Sequence, residues 1–135
     1  MVRAGCQAAL SISCMRDHRR LEAWKEARVV AVAVVGLSRE HWRPWASALF
    51  AQLQRASLSV QLNIAEGVTY GDSPSYTRYL GIAYGSAVET GELLELLSDT
   101  GALPKDTCGE LLARSGRSQR LLLGLLKRRR PLDAK

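Results

Sequence analysis

The sequence predicts an all-α fold, a four-helix bundle in up-down-up-down order. Three observations carry that expectation. Four segments of about twenty residues repeat apolar side chains at spacings of three and four, the period of a helix with one buried face. Proline and glycine punctuate the chain between those segments, at Pro44, Gly67, Gly71, Pro74, Gly101 and Pro104. Aromatic residues amount to only 6% and prolines to four, which argues against an all-β sandwich.

The first helix is expected from Asp17, a candidate N-cap, to Leu37. Leu21, Trp24, Ala27, Ala31, Val34 and Val35 form its stripe. The run Val29–Val35 is rich in β-branched residues that favour strands. The strongly helical Leu-Glu-Ala-Trp-Lys-Glu-Ala before it keeps the segment in one helix. After a break over Ser38–Arg43, Pro44 suits a first helical turn. The second helix then runs to Glu66 behind Trp45, Leu49, Gln52/Leu53, Ala56, Val60 and Asn63/Ile64, with Gly67 as its stop. Ser73 as cap and Pro74 as first residue open the third helix. Its stripe is Tyr76, Leu80, Ala83, Ala87, Gly91 and Leu94, and it ends near Gly101. The fourth begins at Pro104 or Asp106 and turns Cys108, Leu111/Leu112, Ser115, Leu122 and Leu125/Leu126 inward. Short connections make consecutive helices antiparallel neighbours. The expected organisation is an N-terminal extension over 1–16, a bundle over 17–128 and a basic C-terminal tail over 129–135. Met1–Cys14 reads either as an upstream extension from a start codon placed ahead of Met15 or as a disordered arm.

Composition sets aside most chemistry. With 135 residues, 47% hydrophobic and 24% charged, the chain is one ordinary globular domain. Cys6, Cys14 and Cys108 lack C-x-x-C spacing, which argues against a zinc ribbon or disulfide framework and fits a reducing cytoplasm. Two histidines, His18 and His41, leave little for metal or triad chemistry. Glu89, Glu92 and Glu95 recur on the third helix, but the Glu-x-x-His pairs of a di-iron bundle are missing. No phosphate loop and no nucleophile elbow is present. The expectation is a non-enzyme with no catalytic residue, cofactor or metal. No apolar run reaches the roughly 18 residues needed to cross a bilayer.

Charge is more informative. Residues 1–110 carry 11 basic and 12 acidic residues, whereas 111–135 carry 8 basic residues and one aspartate. The whole excess of +6 therefore sits in the last segment. On the fourth helix, Arg117, Arg120, Gly124, Lys127 and Arg128 point away from the apolar stripe, and no acid lies between Leu111 and Leu132. A one-sign stripe repels itself unless a polyanion relieves it, which favours nucleic acid over a merely solubilising tail. In an up-down bundle the fourth helix ends where the first begins. Lys127, Arg128, Arg129 and Arg130 are therefore expected to gather with Arg16, Arg19 and Arg20 at one pole. The other pole mixes Arg39, Glu40, Arg43, Asp99, Lys105 and Asp106, close to neutral. Extra apolar residues off the main stripe, Ala51, Leu58, Leu62 and Ala65 on helix two and Leu121 and Leu123 on helix four, point to a homo-oligomer.

Three blocks of sequence resemble one family. Gln52-Leu53-Gln54-Arg55-Ala56-Ser57-Leu58-Ser59-Val60-Gln61-Leu62-Asn63-Ile64-Ala65-Glu66-Gly67 is similar to the signature Q-x-x-R-A-x-x-S-x-x-x-N-I-A-E-G of the four-helix-bundle family encoded in intervening sequences of bacterial 23S ribosomal RNA genes. The stretches Tyr79–Glu89 and Leu21–Ala27 resemble two further blocks of that family. In two places the chain departs from it. Trp45-Ala46-Ser47-Ala48 follows Pro44 where an acidic residue is usual, and Val68-Thr69-Tyr70 follows the central block where a basic one is frequent. The resemblance implies a bundle that assembles as a ring, with a homopentamer as the expected state, and no established enzymatic activity. It also relates the chain to accessory proteins of diversity-generating retroelements, whose basic barrels bind a reverse transcriptase and nucleic acid.

Two function classes follow. The first is a cytoplasmic, oligomeric binder of RNA or DNA, RNA first. The second is a protein-binding adaptor, such as an accessory subunit of a retroelement reverse transcriptase. The motif residues Arg55, Asn63, Glu66, Arg78, Ser86 and Glu89 are expected to form a structural polar network. Counting back from the turn at Tyr70-Gly71 places Arg55 beside Ser86 and Glu89, and Asn63 and Glu66 beside Arg78. Gly81 and Gly85 would let helix three approach a neighbour closely.

Overall fold

The computed structural model describes residues 17–133, with side chains through 128. Four α-helices account for nearly all of it, and the described residues contain no strand. They are α1 (Glu22–His41), α2 (Ser47–Val68), α3 (Pro74–Asp99) and α4 (Lys105–Asp133), with 3-10 turns at His18–Arg20 and Pro44–Ala46. α4 extends to Asp133, so the tail expected from residue 129 continues the helix through its first five residues. The expected extension over 1–16 lies outside the described residues.

The helix ends explain where the sequence reading slipped. Asp17 caps the 3-10 turn, its carboxylate accepting the Arg19 backbone N–H at 3.0 Å. α1 itself starts at Glu22 and runs through the expected break to His41. Pro44 opens a 3-10 turn before α2, and that tighter winding changes the helical phase. Trp45, assigned to the core stripe, is 60% exposed, while Ala46, Phe50 and Leu53 are buried. Val35 likewise faces outward, because the buried stripe of α1 is Ala23, Ala27, Val30, Ala31 and Val34. Gly67 does not stop α2, which continues through Val68. The glycine in the left-handed region is Gly71, with φ 59°. α3 ends as a Schellman motif: Ala102 N–H donates to the Leu97 carbonyl at 2.9 Å, and Gly101, at φ 81°, donates to Ser98.

Each helix packs on its neighbours in sequence, and α1 also packs on α4. Two apolar layers fill the interior. One joins Val30, Val34, Phe50, Leu53, Leu94, Leu97, Cys108 and Leu111. The other joins Ala23, Ala27, Val60, Ile64, Leu80, Ala83, Ala87 and Leu122. Between them lies a waist of small and hydroxylic residues. Ala27, Val30, Ser57, Val60, Ala87, Thr90, Ser115 and Ser118 line a cavity of about 10 Å³ there. Each of the four hydroxyls donates to a backbone carbonyl, Ser115 to Ala87 and Ser118 to Ala23 across helices. The waist is thus polar but satisfied, as buried hydroxyls require.

The second apolar face stands out on α2, where Leu58 and Leu62 are 47% and 52% exposed. On α4 it does not: Leu121 and Leu123 are half-buried, and Leu121 packs on the second core layer. Val29, Val32 and Val35 on α1 and Ile82, Val88 and Leu96 on α3 are exposed instead.

Candidate nucleic-acid interface

The central motif is a ladder between α2 and α3. Gln52, Ser59 and Asn63 recur at spacings of seven and four, which puts them on one face of α2. Gln52 Nε2 donates to Glu89 Oε1 at 3.2 Å, and the Ser59 and Ser86 hydroxyls pair at 2.8 Å. Asn63 Nδ2 donates to the Ser59 carbonyl at 2.8 Å and to its hydroxyl at 2.9 Å. The expected neighbourhood of Ser86 and Glu89 is thus correct in register, but its partners differ. Arg55 does not pair with Glu89. It lies on the outward ridge of α2 and donates from Nε and Nη2 to Gln52 Oε1 at 3.2 and 2.8 Å, so Gln52 relays between the two charges. Asn63 bonds Ser59 and forms no hydrogen bond with Arg78 among the described residues. Glu66 and Arg78 form no ion pair; both are exposed, where water competes for each charge. Gly67 has its own reason for being glycine. A Cβ there would stand 3.0 Å from the Tyr79 Cβ and 3.5 Å from the Tyr76 carbonyl. Nothing comes within 4 Å of a Cβ placed on Gly81 or Gly85, so neither serves a close approach among the described residues.

The sequence reading missed the strongest electrostatic contact. Glu26 is buried on α1 in register with Ala23, Ala27 and Val30. Its two oxygens accept from Arg114 Nη1 at 3.2 Å and Arg117 Nη1 at 2.9 Å, tying α1 to α4. Arg117, expected to meet nucleic acid, is therefore occupied within the chain. The missed signal is an acid placed on an alanine stripe, opposite the acid-free α4.

The placement of several other expected cations follows from the packing of the second core layer. The turn His18–Arg20 precedes α1 and touches α2, and Leu21, Trp24, Tyr76, Leu125 and Leu126 pack on the same core layer. Arg19, Arg20 and Arg78 therefore lie at the bundle end reached by the last described side chains of α4, Lys127 and Arg128. Arg20, Arg78, Arg120, Lys127 and Arg128 carry no ion pair among the described residues. Arg19 has a 3.9 Å contact with Asp17 and is 71% exposed. Arg120 folds back toward Gly116, 3.5 Å from the place a Cβ would occupy there. Arg128 Nε reaches the Gly124 carbonyl at 3.4 Å. Arg16 lies outside the described residues, as do the side chains of Arg129 and Arg130.

Aromatic rings share that end. Tyr70 stacks on Tyr79 with centroids 5.2 Å apart and planes 4° from parallel. His18 meets Trp24 edge-on at 5.2 Å. The Tyr70 hydroxyl titrates above its ordinary value, chiefly through hydrogen bonding and charge repulsion with Tyr79; Glu66 adds to the rise and Arg78 opposes it. On α4, burial pushes the Cys108 thiol up, with Ser98 opposing. No described helix is long and apolar enough to cross a membrane.

Comparison with known proteins agrees with this architecture. No curated protein sequence matches the chain. A crystal structure of a protein of unknown function from the S23 ribosomal protein family of Bacteroides thetaiotaomicron VPI-5482 superposes with a TM-score of 0.72. The two are 24% identical, and the match covers 78% of this chain and 98% of that one, a likeness of fold. The model of the 23S rRNA-intervening sequence protein family matches residues 19–124, which takes in all three resembling blocks and most of α4, and the chain belongs to that family.

Proposed function

We propose that this protein is a non-enzymatic, oligomeric bundle that binds nucleic acid, RNA first, through the basic pole. One observation carries the reading: Arg20, Arg78, Lys127 and Arg128 form no ion pair among the described residues, whereas the buried carboxylate Glu26 already holds Arg114 and Arg117. Unpaired cations gathered at one end form an electrostatic footprint for phosphates. The two core layers, each drawing on all four helices, support an up-down-up-down path. A ring assembly would repeat the pole around one rim and multiply weak contacts through avidity. The exposed Leu58 and Leu62 support such burial against a second copy.

The test is filter binding of labelled RNA at several salt concentrations. Wild type is compared with a variant carrying Ala at Lys127, Arg128, Arg129 and Arg130. Each neutralised phosphate contributes about −0.7 to −0.9 to the log–log slope, so four lost contacts flatten it by roughly 3. Equal slopes would end the reading. Light scattering on the same samples should give a multiple of 14.8 kDa; a monomer at micromolar concentration removes the ring. The exposed Trp42 and Trp45 at the opposite pole favour a second reading, an adaptor that docks a protein such as a retroelement reverse transcriptase. A reverse-transcriptase gene next door would support it; a position inside a ribosomal RNA gene would support the first.

A further inference from the structure

The basic end carries more than charge. Tyr79 is half-buried and seated against α2, its Cβ facing the bare Gly67. Tyr70 lies outside it and is 40% exposed. The Tyr70 ring rests on Tyr79 and stays partly exposed to solvent. The turn holds the backbone of this residue from both sides: Tyr70 N–H donates to the Gly67 carbonyl at 3.0 Å, and Ser73 N–H donates to the Tyr70 carbonyl at 3.2 Å. Gly71 makes the reversal in the left-handed region. The turn fixes the backbone that carries the ring and the stack on Tyr79 seats the ring itself, which limits the ordering that binding must supply. Arg78 stands beside the pair, exposed and without an ion pair among the described residues. Glu66 is the acid nearest in effect, since its charge and that of Arg78 both reach the Tyr70 hydroxyl.

A duplex offers a protein phosphates, sugars and groove edges, because its bases already stack on each other. A single strand offers free base faces as well, and aromatic rings interleaved with cations are what engage them. Charge alone would accept either form; an exposed aromatic ring adds something that only unpaired bases can use. We propose that this pole binds single-stranded RNA, with a base stacked on the exposed Tyr70 ring and an adjacent phosphate at Arg78. The inference rests on the nucleic-acid reading of the pole and narrows it.

The test is fluorescence anisotropy with a short unstructured RNA and with the blunt duplex of the same sequence. Wild type should prefer the single strand. Tyr70→Leu, which keeps an apolar group but removes the ring, should weaken single-strand binding about tenfold while leaving duplex binding and the salt slope unchanged. Tyr70→Phe keeps the stacking face and should bind as wild type does. Arg78→Ala should flatten the single-strand slope by about 0.7. The inference fails if Tyr70→Leu binds the single strand as well as wild type, or loses both forms equally. It also fails if Tyr70→Phe loses as much as Tyr70→Leu. Wild type binding duplex as tightly as single strand overturns this inference and leaves the polyanion reading standing. Wild type binding neither form overturns both.

Discussion

Glu26 offers the sharpest test of how this bundle is held together. Its carboxylate is 8% exposed and accepts two charge-assisted hydrogen bonds, whereas Arg114 and Arg117 are 50% and 53% exposed. Such bonds contribute about 1.5–3 kcal/mol each when a charged group takes part. The guanidiniums are half in water and recover hydration when released, so about half of the sum remains and Glu26→Ala should cost about 1.5–3 kcal/mol. Glu26→Gln keeps volume and an acceptor, and should cost about 1 kcal/mol. Removing either arginine alone leaves the carboxylate paired and should cost under about 1 kcal/mol. Removing both strands a buried charge and should cost about 3 kcal/mol, more than the two single losses together. Denaturant titration followed by circular dichroism measures all five proteins, and thermal melts should shift by roughly 3–5 °C per kcal/mol. A double arginine variant whose loss equals the sum of the singles would refute the clamp. So would a Glu26→Ala protein as stable as wild type. Under the proposed RNA binding, Glu26→Gln removes the charge that holds both guanidiniums and should steepen the salt slope while stability falls.

Two further outcomes follow from packing. Gly67→Ala gains about 1 kcal/mol of helix propensity but forces a Cβ against the Tyr79 Cβ at 3.0 Å, an overpacking that costs typically ~2 kcal/mol. The net expectation is a lower melting temperature; a higher one would show that α2 and α3 can part without cost. Cys108 is 1% exposed, and burial holds its thiol protonated beyond its ordinary range. In a Cys6→Ser/Cys14→Ser protein it should react with a thiol reagent at pH 8 only after denaturation. A folded-state value raised above the unfolded one stabilises below pH 9.0 and loses that contribution as pH climbs through the folded value, so stability should fall on the alkaline side. Fast native labelling would contradict this.

Much of the fold was legible because four amphipathic repeats and their proline and glycine boundaries act locally. The buried stripe of α3, with Leu80, Ala83, Ala87 and Leu94, follows the expected period. Errors arose where a second winding intervened. The 3-10 turn at Pro44–Ala46 shifted the phase enough to exchange Trp45 for Phe50. The motif's register was also legible, since an antiparallel hairpin fixes which residues face each other. Its partners were not, because formal charge suggested Arg55–Glu89 while the helix face offered Gln52. The Glu26 clamp joins residues 88 and 91 positions apart in sequence, so only the placement of α4 against α1 brings them together. The basic excess of the last segment was legible from charge counting alone. The tyrosine pair was not, because stacking depends on a turn geometry that composition does not encode.

The waist of hydroxyls and alanines gives the bundle a mechanical character. Large side chains plug its two halves, and at the centre only small ones meet around a near-empty neck. Cooperativity between the halves must therefore run along the helix backbones and through the Ser115 and Ser118 cross-links, because bulky side chains do not interlock there. The expected outcome is that each half loosens as its own unit, which amide hydrogen exchange would read as two levels of protection that change at the waist.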